Sequence, residues 1–484
     1  LDVEPLAVKR LPIRLAADPA LTITRLFWAG PERARKVIDR VLALDEDQVA
    51  RLLASTMRDF DHLHIDLEDI FLEHYEQVSQ RIQMPTPPTV KRMVLIGAYF
   101  TLEYAFASSA LFNPSMAPAI GQEDLEPGSL RFAMSLRAVG EGHLSSVVFR
   151  RGVIDSAGDI MMEPTGLFHE PSRRVRNRQF SKAKFRIRLA QMGMRDAILD
   201  PLLERLDDPF TFQDLLHIVD RVQTQTEAAS AHDHEAHGFE WLGACDYDIE
   251  SAAGADITEL VLFPISEAES RGMEDMRLVR FVDDDGSPRY YGTYTAFNGH
   301  EILPQMIEMP RPGLAHVRTL GGRCARNKGL ALFPRRVQGR YMMSGRIDGE
   351  NLYILKSNNI LLWDEAVLVQ EPQFPWEFMQ IGNCGSPIET EAGWLLLTHG
   401  VGPLRHYCIG ATLLDREDPT KLIGRLERPL LIPEADERSG YVPNVVYSCG
   451  GLVHNGILVI PYGISDAATG FATVPLDDLL ARLA

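Results

Sequence analysis

The chain is 484 residues long, more than one average domain holds, and its 45% hydrophobic and 24% charged residues exclude a disordered polymer. Its net charge is −18 and no basic stripe dominates, so nucleic acid is not an expected partner; the short run Arg173, Arg174, Arg176 and Arg178 does not reverse that balance.

No charged-then-apolar leader is visible at the start. Residues 30–112 read as helical. Val37, Val41 and Leu44, then Val49, Leu52, Leu53 and Met57, then Ile70, Phe71, His74 and Val78, recur at helical spacing. Asp45 with Gln48 resembles a capping box. Met93–Phe112 carries Glu103 and Gly97 and reads as a buried helix rather than a membrane span. From Asn113 the texture turns to short strands, 131–138, 145–150 and 160–163. A helical stretch follows over 180–228, with helices at 196–206 and 212–222, and reads as an insertion of about 172–244. From Glu259 onward strand follows strand, with Asp285-Gly286, Asp348-Gly349 and Asn455-Gly456 as tight turns, and a short helix closes the chain at Leu476–Leu483. Many short strands at even spacing imply a mainly β sandwich, barrel or propeller, and about five sheet-like blocks favour the propeller. The five cysteines, Cys245, Cys324, Cys384, Cys408 and Cys449, include no C-x-x-C pair, so reduced thiols and a cytoplasmic setting are expected.

Four constellations could carry chemistry. Glu274 and Asp275 are adjacent carboxylates between Arg271 and Arg277; they suit a tuned acid, or a surface ion-pair turn. Lys328, just before an apolar strand and near Arg323, Arg326 and Arg346, suits an oxyanion ligand, or a solvated basic loop. Trp376 could stack on a sugar face or sit in the core, and His399 closes the apolar run Trp394–Thr398 as a site residue or a structural one. Arg137 with Glu141 and His143 sits between two strands, on the inner rim of a propeller or in a plain turn. His232, His234 and His237 are zinc-type ligands, but their run is polar and lacks a companion motif, so no metal is expected. No Walker loop, nucleophile elbow or dinucleotide fingerprint appears.

Taken in order, Asn113-Pro114, Arg137–Ser146, Glu274-Asp275-Met276-Arg277, Lys328–Pro334, Gly382–Pro387, Gly393–Val401, Ala411–Asp415 with Asp418-Pro419, Tyr441–Gly450 and Pro461–Asp466 resemble glycoside hydrolase family 130, the β-mannoside phosphorylases and related β-mannosidases. The resemblance spans about 113–170 and 245–475. It implies a five-bladed β-propeller with its site in the central channel, expected over 113–484; the helical N-terminal domain, 1–112, lies outside the resemblance. It implies Asp275 as general acid, acting through a hydroxyl of the bound mannose. Lys328 and His399 then hold phosphate, with Arg346 and next Arg323 as further phosphate arginines. Arg137 and Asp466 touch the sugar, and Glu141, His143, Glu274, Arg277, Trp376 and Tyr407 complete the substrate-binding set. Where relatives carry Asp-Pro-Arg this chain has Asp275-Met276-Arg277, so the local turn is expected to differ. The implied reaction is inverting phosphorolysis of β-manno-oligosaccharides to α-mannose 1-phosphate, with inorganic phosphate as co-substrate and no cofactor. The alternatives are a phosphate-independent inverting β-mannosidase, with Glu141, Glu377 or Glu391 as base, and a non-catalytic sugar-binding propeller. The apolar faces of the helical region would cover a rim of the propeller or join two subunits into a homo-oligomer. No membrane partner is expected.

Overall fold

The computed structural model describes residues 6–483 except 85, 167, 172, 176–178, 192–199, 201–202, 226–242, 252–255 and 312. The helix expected over 196–206 lies mostly outside these residues, and His232, His234 and His237 lie wholly outside them.

Four helices form early in the chain: α1 Pro31–Leu42, α2 Glu46–Phe60, α3 Leu67–Arg81 and α4 Val90–Tyr99. Pro31 opens α1, where its missing N–H costs nothing. The capping box of α2 is present: the Gln48 N–H donates to Asp45 Oδ1 at 2.7 Å and the Asp45 N–H to Gln48 Oε1 at 2.9 Å. Ile38, Val41, Val49, Val78, Leu95 and Ile96 make a core belonging to these helices. Gly97 does not break α4; it lets α3 approach, since a Cβ there would lie 1.7 Å from the Phe71 carbonyl oxygen.

Two sequence expectations fail here. The buried helix foreseen over 93–112 ends at Tyr99, and Thr101–Ala105 pairs with Thr22–Leu26 as an antiparallel ribbon. Tertiary pairing of β-branched and aromatic residues overrides the apolar run. The first 112 residues are also not wholly helical, because Lys9–Leu15 pairs with Ala468–Pro475 at the other end of the chain.

The rest is mainly β and organised as antiparallel meanders in chain order. The first comprises Ala110–Pro118, Leu130–Val139, Ser145–Ile154 and Ile160–Met162. The second comprises Gly272–Val282, Pro288–Phe297, Ile302–Arg311 and Leu314–Thr319, and shares one hydrogen-bonded sheet with the first. The third runs from Ala331–Leu332 through Tyr341–Gly345 and Leu352–Ser357 to Glu365–Gln370. The fourth centres on Gly393–Val401 and Tyr407–Leu414, flanked by Gln380–Asn383 and Leu422–Arg425. The fifth pairs Val446–Tyr447 with Ile457–Ile464 and that strand in turn with Ala468–Pro475, and Lys9–Leu15 completes it. Gly286, Gly349 and Gly456 hold φ of 80°, 86° and 73°, as the foreseen tight turns require.

Each meander shares a core with the next. Phe149 packs with Met276 and Leu278, Phe281 with Met343 and Trp363, Phe333 with Trp394, and Leu397 with Leu458 and Ile460. Val459 and Phe471 then pack with Leu111, Phe132 and Met134, returning the cycle to the first meander. Among the described residues no helix is long and apolar enough to cross a membrane.

Candidate active site

Three acidic or amide residues with left-handed backbone meet where the meanders converge. Asn113, Asp275 and Asp466 have φ of 48°, 52° and 53°. Asn and Asp tolerate this region better than other side chains, though at some cost in strain. Asn113 and Asp275 each lie in a register shift of their strand pair, between Phe112 and Ser115 and between Glu274 and Arg277. A bulge of this kind re-aims a side chain out of the alternating pattern. Asn113 Nδ2 donates to Asp275 Oδ1 at 2.9 Å. Gly463 makes room for this amide: a Cβ there would lie 2.6 Å from Asn113 Oδ1. Met276 is buried in the core between the first two meanders.

Arg137 spans both carboxylates, with Nη2 3.0 Å from Glu274 Oε1 and Nη1 3.4 Å from Asp275 Oδ1. Lys328 Nζ donates to Glu274 Oε2 at 2.6 Å. Burial would raise the pKa of Asp275, but the charges of Arg137, Arg277 and Lys328 and the Asn113 hydrogen bond outweigh it and hold the carboxyl below its ordinary value. Asp466 behaves oppositely. Burial, then the charge of Asp275, pushes it up to about 6, against the opposing pull of Arg137 and Arg405. The two carboxylates thus share one electrostatic environment and divide it, Asp275 held below its ordinary pKa and Asp466 raised above it.

Beside them lies a cationic seat. Arg277 is only 2% exposed, and its guanidinium donates to the Asp275 carbonyl at 2.9 Å and the Tyr447 hydroxyl at 2.7 Å. Arg346 Nη1 lies 3.3 Å from His399 Nε2, and His399 Nδ1 lies 3.3 Å from the Asn383 carbonyl. Among the described residues, neither arginine has a carboxylate side chain within ion-pair distance. Burial and the charges of Arg346 and Arg277 drive the His399 pKa well down, so its imidazole is neutral. The arrangement that satisfies both ring nitrogens donates Nδ1–H to Asn383 and accepts from Arg346 at Nε2. The rings of Tyr447 and Tyr407 flank His399 at 5.0 and 6.1 Å. Gly382 leaves space for the imidazole, since a Cβ there would lie 2.6 Å from His399 Cε1.

The structure therefore brings together Asp275, Glu274, Arg137, Asp466, Arg277, Lys328, Arg346, His399 and Tyr407. It places other candidates elsewhere. Arg323 is on an exposed turn, where its Nε donates to the Asp364 carbonyl at 2.9 Å. Trp376 lies over Gly400 and Gly410, and alternation puts Gly400 on the opposite sheet face from His399. Its indole N–H donates to the Glu427 carbonyl at 3.0 Å. Glu377, fully buried, shares that face with Arg425 and caps the Gln373 and Phe374 N–H groups. Glu391 is exposed at the far end of the strand from His399, about 20 Å away along six residues. Glu141 and His143 are exposed on the turn after Arg137's strand. Asn113, Tyr447 and Asn383 were not foreseen as site residues. All three lie inside the motif stretches that carried the resemblance, which was the available signal. Among the described residues no group of histidines, cysteines and carboxylates could hold a metal.

Residues 255–484 match glycoside hydrolase family 130, described as beta-1,4-mannooligosaccharide phosphorylase. A 1,2-beta-oligomannan phosphorylase of Thermoanaerobacter sp. (strain X514) is 33% identical over 225 residues, 44% of this chain and 72% of that protein. A beta-1,4-mannooligosaccharide phosphorylase of Ruminococcus albus is 34% identical over 166 residues, 32% of this chain and 50% of that protein. Among solved structures, a beta-1,2-mannobiose phosphorylase from Listeria innocua, in complex with beta-1,2-mannobiose, covers 78% of this chain and 92% of its own at 18% identity and a TM-score of 0.45.

Proposed function

Because this chain belongs to glycoside hydrolase family 130, we propose that it is an inverting phosphorylase that cleaves β-manno-oligosaccharides with inorganic phosphate, releasing α-mannose 1-phosphate. The meanders are the blades of a five-bladed propeller, a reading supported by their shared cores returning to the first. Helices α1–α4 form an appended domain between the strand Lys9–Leu15 and the blades. Buried, free cysteines suit a reducing, cytoplasmic compartment.

One observation carries the reaction type: among the described residues, Arg277 and Arg346 face the site with no carboxylate side chain within ion-pair distance. A desolvated guanidinium is costly unless something anionic completes it. Phosphate does so, accepting from Arg277, Arg346 and Lys328, with neutral His399 and Tyr447 alongside. Phosphorolysis needs no general base, because the nucleophile arrives as an anion. It needs one acid, and Asp275 takes that role through a hydroxyl of the mannose held by Arg137 and Asp466. The surrounding cations hold the Asp275 carboxyl below its ordinary pKa. Bound phosphate offsets those charges and raises its pKa toward the protonated form the leaving oxygen needs. Phosphate attacks C1 as the bond to the leaving oxygen breaks, and that oxygen gains the proton. Hydrolysis would instead require a carboxylate to activate water on the opposite face of the sugar. Glu377 and Glu391 lie away from Asp275, which disfavours that alternative.

The relatives' names divide between β-1,2 and β-1,4 linkages, so the substrate is assigned as a class. Product analysis on a panel of β-manno-oligosaccharides, with and without phosphate, tests the reading. Sugar 1-phosphate formed only with phosphate supports it; free mannose at equal rates in both buffers refutes it.

A further inference from the structure

Beyond the Asp275 centre, exposed aromatic and apolar surface collects on turns around Asp466. The His143 ring stacks on Tyr441 with centroids 5.6 Å apart and planes at 27°. Tyr441 is nevertheless 73% exposed. Leu404 and Arg405, both at φ 56°, tip the turn between the two central strands of the fourth meander, and Leu404 is 92% exposed. The loop carrying Tyr441 is pinned to the Asp466 turn: the Val442 N–H donates to the Ser465 carbonyl at 3.2 Å, and a Cβ on Gly440 would lie 2.2 Å from the same oxygen. The Tyr407 N–H in turn donates to the Asn444 carbonyl at 3.1 Å. Three turns, from the first, fourth and fifth meanders, thus surround one mouth.

The turn bearing His143 is held from outside the β-rich part of the chain. The Tyr104 hydroxyl donates to the Glu141 carbonyl at 2.8 Å. A Cβ on Gly140 would lie 2.5 Å from the Ala105 carbonyl oxygen, so the turn and the ribbon are in backbone contact. Arg25 lies over the rings of Tyr104 and Phe263 at 4.9 and 4.4 Å. Tyr104 and Arg25 belong to the two strands that flank α1–α4, outside the residues matched to the family.

An exposed aromatic beside a sugar-cleaving centre offers a flat apolar face to the C–H face of a pyranose. We propose that His143 and Tyr441 form the platform for the sugar on the leaving-group side of the scissile bond, walled by Leu404 and Arg405, and that the appended helical segment holds this platform through Tyr104. The proposal rests on the reading of the chain as a β-mannoside phosphorylase. Because the outer face of Tyr441 is open, the platform continues to solvent and suits an oligosaccharide rather than a sealed disaccharide pocket.

The test compares wild type, Tyr441→Ala, Tyr441→Trp, His143→Ala and Tyr104→Phe on manno-oligosaccharides of two to four sugars. Losing one stacking face raises KM about tenfold ahead of any change in kcat. Tyr441→Trp retains the wild-type KM, and Tyr104→Phe, a positioning change, raises KM less than Tyr441→Ala does. Calorimetric titration with mannotriose in phosphate-free buffer supplies a readout independent of turnover. Weaker binding by Tyr441→Ala supports the platform even if wild type forms no sugar 1-phosphate, an outcome that sinks only the reaction assignment. Phosphate-dependent turnover with the same KM in wild type and Tyr441→Ala at every chain length overturns the platform, as does failure of wild type to bind mannotriose.

Discussion

Replacing Asp275 by Asn isolates the proposed acid with little structural disturbance. The left-handed backbone at φ 52° is retained, because Asn tolerates it as Asp does. The amide oxygen can still accept from Asn113 Nδ2, now 2.9 Å away. Arg137 and Lys328 keep Glu274, at 3.0 and 2.6 Å, and Arg277 keeps the backbone carbonyl of residue 275. The loss in stability is then that of weakening a charge-assisted contact, about 1 kcal/mol. The loss in rate is far larger. Removing a general acid costs about 10²–10⁴ in kcat, equivalent to about 3–5 kcal/mol of barrier. Asp275→Ala adds backbone strain of about 1–2 kcal/mol and orphans the Asn113 donor, so it lowers Tm further without lowering the rate much more. The assay is initial release of sugar 1-phosphate at saturating phosphate, with Tm measured in parallel. An Asn variant within tenfold of wild-type kcat would refute the acid assignment.

Other predictions follow from the same geometry. Arg346→Ala removes a charged donor from the phosphate seat and raises KM for phosphate about 10- to 100-fold, with a smaller effect on KM for the mannoside, measured by varying each substrate in turn. Asp466 has its pKa raised from 3.8 to about 6 in the folded chain, so its contribution to stability is full below about 3.8 and lost as pH rises through about 6. Asp466→Asn removes that loss, and its Tm relative to wild type should rise between pH 4 and pH 7; a pH-independent difference counts against the raised value. Gly97→Ala forces a Cβ against the Phe71 carbonyl and costs about 1–3 kcal/mol or more, seen as a lower Tm with kcat of the folded fraction preserved.

What the sequence determined by itself was local or ordinal. Helical spacing and the Asp45–Gln48 cap located α1–α3, and Gly-containing turns with alternating strands marked the β-rich remainder. The order of short motifs pointed to a family and to Asp275, Lys328 and His399, because those stretches keep their chemistry regardless of how they pack. The tertiary structure decided what depends on partners distant in the chain. Thr101–Ala105 is a strand because Thr22–Leu26 pairs with it, and Lys9–Leu15 completes the last sheet because Ala468–Pro475 offers an edge. Trp376 and Arg323 left the candidate site for the same kind of reason: neither sheet face nor turn direction can be read from residue type. The electrostatics were least legible of all. Asp275 and Asp466 are chemically identical side chains that burial shifts the same way; Arg137, Arg277 and Lys328 with the Asn113 hydrogen bond reverse that shift at Asp275, while the charge of Asp275 adds to it at Asp466.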